Sequence, residues 1–391
     1  MPVAETRVLP VSVEALAERA RSTAAALADE FAITAAEHDA AASFPFANFT
    51  RLHDAGLLSL TVPRRLGGIG GGLSDTVAVV REIARGEPST ALVLAMHCIH
   101  HATMPGRWPD SVAERLGRDS VRRVAPINAL RVEPDLGTPA RGGLPATVAR
   151  RTPEGWRITG RKTYSTGVPI LEWYAVWART DGDDPEVGNF LVPARSPGVR
   201  IVETWNHLGL RASASHDVIL ADVLVPIDNA LDTKDPAAWQ TPDPANTAWS
   251  ALVVAAIYAG IAEAARNWFV DFLKSRKPTN LGAPLASLPR FQEILGEIEL
   301  LLSVNRRLLD SAAAETDRNA PPSSLESGML KSAVTGNAIA AVEAALKVAG
   351  NPGLSRANPL ERHYRDVLCG RVHTPQDDAV RASAGRAALS L

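Results

Sequence analysis

The chain has 391 residues, of which 46% are hydrophobic and 21% charged, and its formal net charge is -2. That length allows two or three domains around a large core, and the composition excludes a disordered chain. The near-neutral balance excludes a basic field for nucleic acid or an anionic membrane surface, and two cysteines, Cys98 and Cys369, exclude a disulfide framework or a cysteine-rich metal site.

Met1 to Pro10 has no cationic start before an apolar run, so no signal peptide is expected and a reducing cytoplasm is the expected compartment. From Val13 to Ala42 the sequence is alanine-rich with charges on a helical period, which predicts a long amphipathic helix. Phe46 to Ala55 predicts a second helix, closed by Gly56, and Thr76 to Arg85 and Ser89 to Met104 predict two more. No strand-like alternation occurs before about Arg122. The cluster Gly67-Gly68-Ile69-Gly70-Gly71-Gly72 fails the dinucleotide-binding spacing, because the third glycine counted from Gly68 falls on Leu73. No strand precedes it and no Lys-Ser/Thr pair follows, so a mobile loop between helices is expected.

The texture then changes. Ala146 to Arg151, Gly155 to Thr163, Trp173 to Arg179, Asn189 to Pro193, Val199 to Glu203 and Ser215 to Val225 are short β-rich runs punctuated by Gly, Pro and Asp. They predict an antiparallel barrel or sandwich. Lys234 to Ala245 reads as a linker, followed by four or five long helices with a break at Pro321 to Ser324. The most apolar window, Ala251 to Ala265, is too short to span a bilayer and is interrupted by Gly260 and Glu263, so a buried helix is expected. Helices, then strands, then helices predict an α+β chain of segregated domains. The expected limits are an all-helical domain over 1–124, a β domain over 125–233 and a four-helix bundle over 234–391.

Several motifs lie in an order that resembles the acyl-CoA dehydrogenase superfamily across nearly the whole chain. They begin with Leu52-His53-Asp54-Ala55-Gly56-Leu57-Leu58, Val62-Pro63, Leu66-Gly67-Gly68-Ile69-Gly70 and Arg81-Glu82-Ile83-Ala84-Arg85. Glu133-Pro134-Asp135-Leu136-Gly137-Thr138 resembles the flavin-side loop, and Gly160-Arg161-Lys162-Thr163-Tyr164-Ser165-Thr166-Gly167 the strand and turn over the flavin ring. Leu208-Gly209-Leu210-Arg211-Ala212-Ser213, Asp222-Val223-Leu224-Val225-Pro226 and Leu360-Glu361-Arg362-His363-Tyr364-Arg365-Asp366 complete the series. The resemblance implies a helical N-terminal domain, a β middle domain, a C-terminal bundle and a bound flavin.

A dehydrogenase of this family needs a carboxylate to take the proton α to the thioester carbonyl. The commoner position for that glutamate falls here on Thr374, and the alternative falls on Ser250, with Ala251 in place of the usual arginine. Glu263 and Asp377 are the carboxylates that a shifted alignment brings into play. The segment from Arg362 to Gly385, with His373-Thr374-Pro375-Gln376-Asp377-Asp378, is similar to the flavin-dependent monooxygenase branch: dibenzothiophene monooxygenases and amino-sugar N-oxygenases. Asn128-Ala129 and Leu136-Gly137-Thr138-Pro139 resemble it as well.

That branch takes reduced flavin, usually FMN, from a separate reductase and forms a flavin C4a-hydroperoxide with oxygen, which must be shielded from water. The resemblance therefore implies a two-component monooxygenase acting on a small organic substrate, with an acyl-CoA dehydrogenase of displaced base as the alternative. His97 and His373 are the expected catalytic imidazoles, able to share a proton with the peroxide. Thr166 is expected at flavin N5, Asn128 on the substrate or the distal oxygen, and His101 on the substrate. Tyr164, Ser165 and Trp205 are expected beside the flavin, and Arg365 on its phosphate. His97 and His101 lack a third ligand at a recognisable spacing, so no metal is expected. FAD-binding members grip the adenosine half with an Arg-x-x-Phe-Gly turn, which here is Arg276-Lys277-Pro278-Thr279-Asn280-Leu281-Gly282, without the aromatic. Ala349-Gly350-Asn351-Pro352-Gly353 is a degraded form of the family's glycine segment. FMN is thus expected over FAD, in a homotetramer.

Overall fold

The computed structural model describes residues 13–136 and 143–390. Five helices come first: α1 (Val13–Ala41), α2 (Phe46–Asp54), α3 (Leu73–Gly86), α4 (Pro88–Thr103) and α5 (Asp110–Arg122). On α1 the buried residues Ala20, Ala24, Leu27, Phe31 and Ala35 recur every three or four positions, the stripe that seats an amphipathic helix. Helix α4 begins at Pro88 and is capped by Glu87, whose carboxylate accepts from the Ser89 and Thr90 amides. The start of α3 is capped from afar: Asp317 accepts from the Leu73 and Ser74 amides at 2.7 and 2.9 Å.

The glycine cluster before α3 is a packed turn rather than the mobile loop expected. Its amides bond back to Ser59, Leu60, Val62 and Pro63, and a Cβ on Gly68 would stand 2.1 Å from the Val62 carbonyl.

Seven strands follow: β1 (Ile127–Leu130), β2 (Val148–Thr152), β3 (Gly155–Lys162), β4 (Trp173–Thr180), β5 (Val187–Pro193), β6 (Val199–Val202) and β7 (Asp217–Val225). They form one sheet in the order β1-β4-β2-β3-β7-β6, with β5 also on β4. The sheet is mixed, not wholly antiparallel. Strand β1 runs parallel to β4 through Ile127–Trp173 to Leu130–Val176, and β2 is parallel to β4 at Val148–Arg179. The reason is topological: the β2–β3 hairpin lies between β1 and β4 in sequence, so β1 reaches β4 by a crossover. One face of the sheet holds its own core, including Tyr174, Val176, Phe190 and Val218. The other face is glued to the first helical segment by Met104, Trp108, Val112 and Leu116 against Ile127, Ala175 and Leu191.

The remaining helices are α6 (Pro244–Ser275), α7 (Pro289–Asp317), α8 (Ser324–Ala349), the short α9 (Asn351–Leu354), α10 (Leu360–Leu368) and α11 (Asp377–Ala388). Helix α6 is buried on every side from Ala251 to Ala262 and packs against α3, α4, α7, α8 and α10. A helix apolar all round belongs at the centre, and one core runs unbroken from α1 through α8. Its 32 residues are long and apolar enough to cross a bilayer, more than the sequence window suggested, but 83% of the apolar stretch is buried inside the protein. Gly260 permits the closest approach, since a Cβ there would meet the Arg81 carbonyl of α3 at 2.2 Å.

Candidate active site

Strand β3 ends in a buried charge. Lys162 Nζ donates to Glu133 Oε1 at 2.6 Å and to the Trp177 carbonyl. Glu133 also accepts from the Ala146 and Thr147 amides and the Thr147 hydroxyl. Burial pushes the Lys162 ammonium down to about 8, against the pull of Glu133. For Glu133, burial acts upward but its hydrogen bonds outweigh it, and the carboxyl is held below its ordinary value. This pair locks the Val132–Leu136 segment to the end of β3. The Gly137-Thr138-Pro139 part of the expected flavin-side loop lies outside the described residues.

Beyond Lys162 the chain turns through Tyr164, at φ 55°, and Gly167, at φ 75°. The turn is pinned by Ser165 N to the His216 carbonyl at 3.0 Å and Gly167 N to the Ser213 carbonyl at 2.9 Å. A chain of hydroxyls results: Thr166 Oγ1 lies 3.0 Å from Ser215 Oγ, which lies 2.9 Å from Ser213 Oγ. Asn128 Nδ2 donates to the Thr166 carbonyl at 3.1 Å, so the free edge of β1 joins the same group. Thr163 Oγ1 and Ser165 Oγ are buried without a hydrogen-bond partner.

An aromatic plate stands beside this polar edge. Trp205 stacks on His207 with centroids 3.7 Å apart and planes 12° from parallel, and Tyr164 meets both edge-on. Trp205 is held by its amide to His216 Nδ1 and by its indole Nε1 to the Leu210 carbonyl at 3.2 Å. Unpartnered buried hydroxyls next to flat aromatic rings fit a flavin, whose ring edge offers nitrogens and oxygens and whose faces are apolar. Thr166, Ser165, Tyr164 and Trp205 thus stand in one cluster.

The histidines of α4 sort differently from expectation. His97 is buried with both ring nitrogens on backbone: Nε2 bonds the Leu58 carbonyl at 2.6 Å and Nδ1 accepts from Ile127 N at 3.3 Å. It staples α4 to the edge of β1 and has no nitrogen left for proton transfer, and burial pushes it down to about 4. His101 is equally buried, bonded to Ser120 Oγ at 2.9 Å and packed edge-on against His97, so it faces α5 rather than a substrate. His100 is the one that hydrogen-bonds Asn128, and burial, then nearby Arg107, pushes it down to about 3. His100 sits one turn beyond Met96 and is half-buried, where His97 and His101 are buried, a difference that no spacing in the sequence announces.

Arg365 is also corrected. It is held by both Asp39 oxygens at 2.9 and 2.6 Å, by Glu361 and by the Leu208 carbonyl, which leaves no fork for a phosphate. Its neighbour Asp366 accepts from Leu210 N at 2.7 Å, fastening the segment that carries Trp205. Arg276 is exposed in the loop after α6.

His373 hydrogen-bonds the buried Tyr258 hydroxyl on α6 and is pushed down to about 4, first by burial and then by Lys331. Thr374 beside it is exposed, and Ser250 is half-buried on the second turn of α6. Neither spare carboxylate is free. Glu263 lies between Arg81 and Arg306 at 3.8 and 3.7 Å, and Asp377 pairs with Lys331 at 3.3 Å. A groove of about 510 Å³ runs past this segment, lined by Arg371, Val372, Gln376, Asp377, Asp378 and Arg381.

Comparison with known proteins places this geometry. Models of the acyl-CoA dehydrogenase N-terminal, middle and C-terminal domains match residues 14–105, 131–223 and 252–377. YdbM of Bacillus subtilis, provisionally named an acyl-CoA dehydrogenase, is 35% identical over 90% of this chain and 92% of its own. L-evernosamine nitrososynthase of a Micromonospora strain is 29% identical over 90% of this chain and 86% of its own. The structure of KijD3 with FMN and dTDP-3-amino-2,3,6-trideoxy-4-keto-3-methyl-D-glucose superposes with a TM-score of 0.84 at 27% identity, covering 98% of this chain and 95% of that one. The chain belongs to the acyl-CoA dehydrogenase family of flavin-dependent oxidoreductases.

Proposed function

We propose that this protein is a two-component flavin monooxygenase, using reduced flavin from a separate reductase and O2 to oxygenate a small organic substrate. The carrying observation is the state of the two positions where a dehydrogenase holds its base. Thr374 and Ser250 bear no carboxylate, and Glu263 and Asp377 are each committed to cations elsewhere. A threonine hydroxyl cannot abstract a proton α to a thioester at neutral pH.

Reduced flavin, when bound, supplies the electrons that split O2, one atom going to substrate and the other to water. The residues supply the surroundings. Thr166, relayed by Ser215 and Ser213, offers a hydroxyl whose proton can be passed along the chain. Ser165 and Thr163 offer unpartnered oxygens to the flavin edge, and Trp205 and Tyr164 cover it from water. Asn128 and His100 face the substrate, and His373, held neutral by burial against Tyr258, stands beside the empty base position at Thr374. FMN is favoured over FAD by the degraded Arg276–Gly282 and Ala349–Gly353 segments, and KijD3, a relative of the same fold, was solved with FMN.

The reading includes a cytoplasmic homotetramer. Leu300, Val304 and Met329, exposed on α7 and α8, support assembly through the bundle.

The test is anaerobic reduction of the flavin-loaded protein, then mixing with oxygen. Bound flavin should reoxidise more slowly than free flavin. Peroxide release at the free-flavin rate, with every candidate substrate, would sink the proposal. The similarity to YdbM favours one alternative, an acyl-CoA dehydrogenase with a displaced base. Bleaching of bound oxidised flavin by an acyl-CoA, without added reductant, would establish it.

A further inference from the structure

We propose that Tyr258 is a positioning residue for His373, a proposal that rests on the oxygenase reading for what the imidazole serves. The Tyr258 hydroxyl donates to Nδ1 and so fixes the tautomer whose proton sits on Nε2, which makes His373 a hydrogen-bond donor beside the empty base position at Thr374. The hydroxyl proton has one place to go. Tyr258 is wholly buried on α6, and among the described residues its hydroxyl has a single hydrogen-bond partner, Nδ1 of His373. Burial pushes the phenol well above its ordinary value, so the hydroxyl keeps its proton. A neutral imidazole carries one N–H and one bare nitrogen. With the N–H on Nδ1, the ring would donate to the tyrosyl oxygen and leave the hydroxyl proton buried without an acceptor. With the N–H on Nε2, Nδ1 accepts and both buried groups are satisfied. Nε2 has no partner among the described residues, and on a half-buried side chain it is not closed off from solvent.

Both members of the pair are held in place. The Tyr258 ring is backed by Gly370, where a Cβ would come within 3.2 Å of its Cγ and Cδ2. The tyrosyl and imidazole rings stand 5.8 Å apart at 46°, so they meet through the hydrogen bond and not by stacking. The segment that carries His373 is tied at both ends by one cation. Lys331 on α8, fully buried, donates to the Gly370 carbonyl at 2.6 Å and to Asp377 Oδ1 at 3.3 Å. With the segment clamped on either side, a flip of the imidazole would carry Nδ1 away from the hydroxyl and break the bond.

The tautomer decides what chemistry His373 can do. Its free nitrogen already bears a proton, and taking a second would create a cation that burial and Lys331 both oppose. His373 therefore does not replace the carboxylate missing at Thr374 and Ser250. As a donor it can hydrogen-bond an oxygen that gains negative charge, the service an oxygenase needs and a dehydrogenase base does not give.

The experiment is magic-angle-spinning 15N NMR of the full-length protein labelled at histidine, at neutral pH, with His373→Gln identifying the His373 resonances by their loss. Nε2 is expected in the protonated range and Nδ1 in the unprotonated range, displaced by the hydrogen bond it accepts. In Tyr258→Phe the Nδ1 resonance should lose that displacement. A wild-type Nδ1 in the protonated range overturns the proposal, as does an unmoved Nδ1 in a folded Tyr258→Phe protein. If that variant does not fold, the wild-type spectrum decides alone. Reoxidation of bound reduced flavin supplies the second readout. Tyr258→Phe should speed it roughly threefold to tenfold, the worth of one neutral hydrogen bond, with flavin affinity unchanged. Where the wild type is slower than free flavin, an equal rate in the variant overturns the positioning role. If the wild type is as fast as free flavin while its spectrum shows the Nε2–H tautomer, the oxygenase reading fails and the pairing of Tyr258 with His373 stands.

Discussion

Glu133 and Lys162 meet the most demanding condition in the molecule, a full ion pair with both side chains at most 2% exposed. Such a pair is tolerable only because every polar atom finds a partner, and removing one member leaves the other uncompensated. Glu133→Gln should cost about 3–5 kcal/mol, the range for breaking a buried pair, read as a drop in the urea midpoint. Glu133→Gln combined with Lys162→Met should recover most of it, and a single-variant loss near zero would mean that water reaches the ammonium. At the hydroxyl turn, Thr166→Val keeps the shape and deletes one donor. Flavin retention should weaken by roughly threefold to tenfold, the worth of one neutral hydrogen bond, measured by equilibrium dialysis. The turn was legible through the resemblance of Gly160 to Gly167 to a family motif, which is local in sequence. His97, His100 and His101 were not, because which of three near neighbours faces the cleft depends on where the edge of β1 passes, and no helical period encodes that. The lone strand β1 was missed for the same reason: four residues show too little alternation to announce themselves.

Between elements, the segment from Leu208 to Arg211 joins the aromatic plate to α10. Leu210, at φ 49°, donates its amide to Asp366 and accepts the Trp205 indole on its carbonyl, so one peptide transmits the position of α10 to the aromatic plate. Gly209 lets the contact close, since a Cβ there would stand 2.3 Å from the Arg365 carbonyl. Burial pushes Asp366 up to about 7, although the Leu210 amide pulls it down. The protonated form is thus favoured in the fold, and this carboxyl's contribution to stability declines as pH rises from its ordinary value of 3.8 to about 7. Asp366→Asn, which keeps an acceptor for Leu210, should gain on the wild type in urea midpoint between pH 5 and pH 8. Asp366→Ala should instead release Trp205 and red-shift its emission at every pH. Equal pH dependence in Asp366→Asn and wild type would show that the carboxyl is ionised in the fold throughout. The motif around Asp366 was readable as a family signature, but its work across 156 residues of sequence was not.

For the molecule as a whole, the order of helices, strands and helices was legible because period and punctuation change so clearly at the borders. The sharing of one core between the two helical segments was not, because it follows from α6 being buried on all sides. That shared core explains the expected acid behaviour. His97, His100, His101, His363 and His373 are all pushed below the ordinary imidazole value, each first by burial, to about 4 or about 3 where a value is resolved. Each binds a proton more weakly in the fold than in the unfolded chain. Their contribution is intact above pH 6.5 and is lost as pH falls toward 4, where the unfolded chain takes up protons that the fold refuses. Each depressed imidazole adds a slope of about 1.4 kcal/mol per pH unit in that window, while Asp366 and Glu263, whose carboxyls burial pushes up, oppose. Five imidazoles against two carboxyls predict a net loss, and because the five sit on α4, on α10 and beside α6, the loss should be concerted. Urea unfolding from pH 7.5 down to 4.5 should show the midpoint falling sharply below pH 6.5, with helix ellipticity and tryptophan emission moving together. A flat midpoint across that range would mean that these imidazoles are solvated or charged in the fold. Emission that changes before ellipticity would mean that the aromatic plate opens separately from the core.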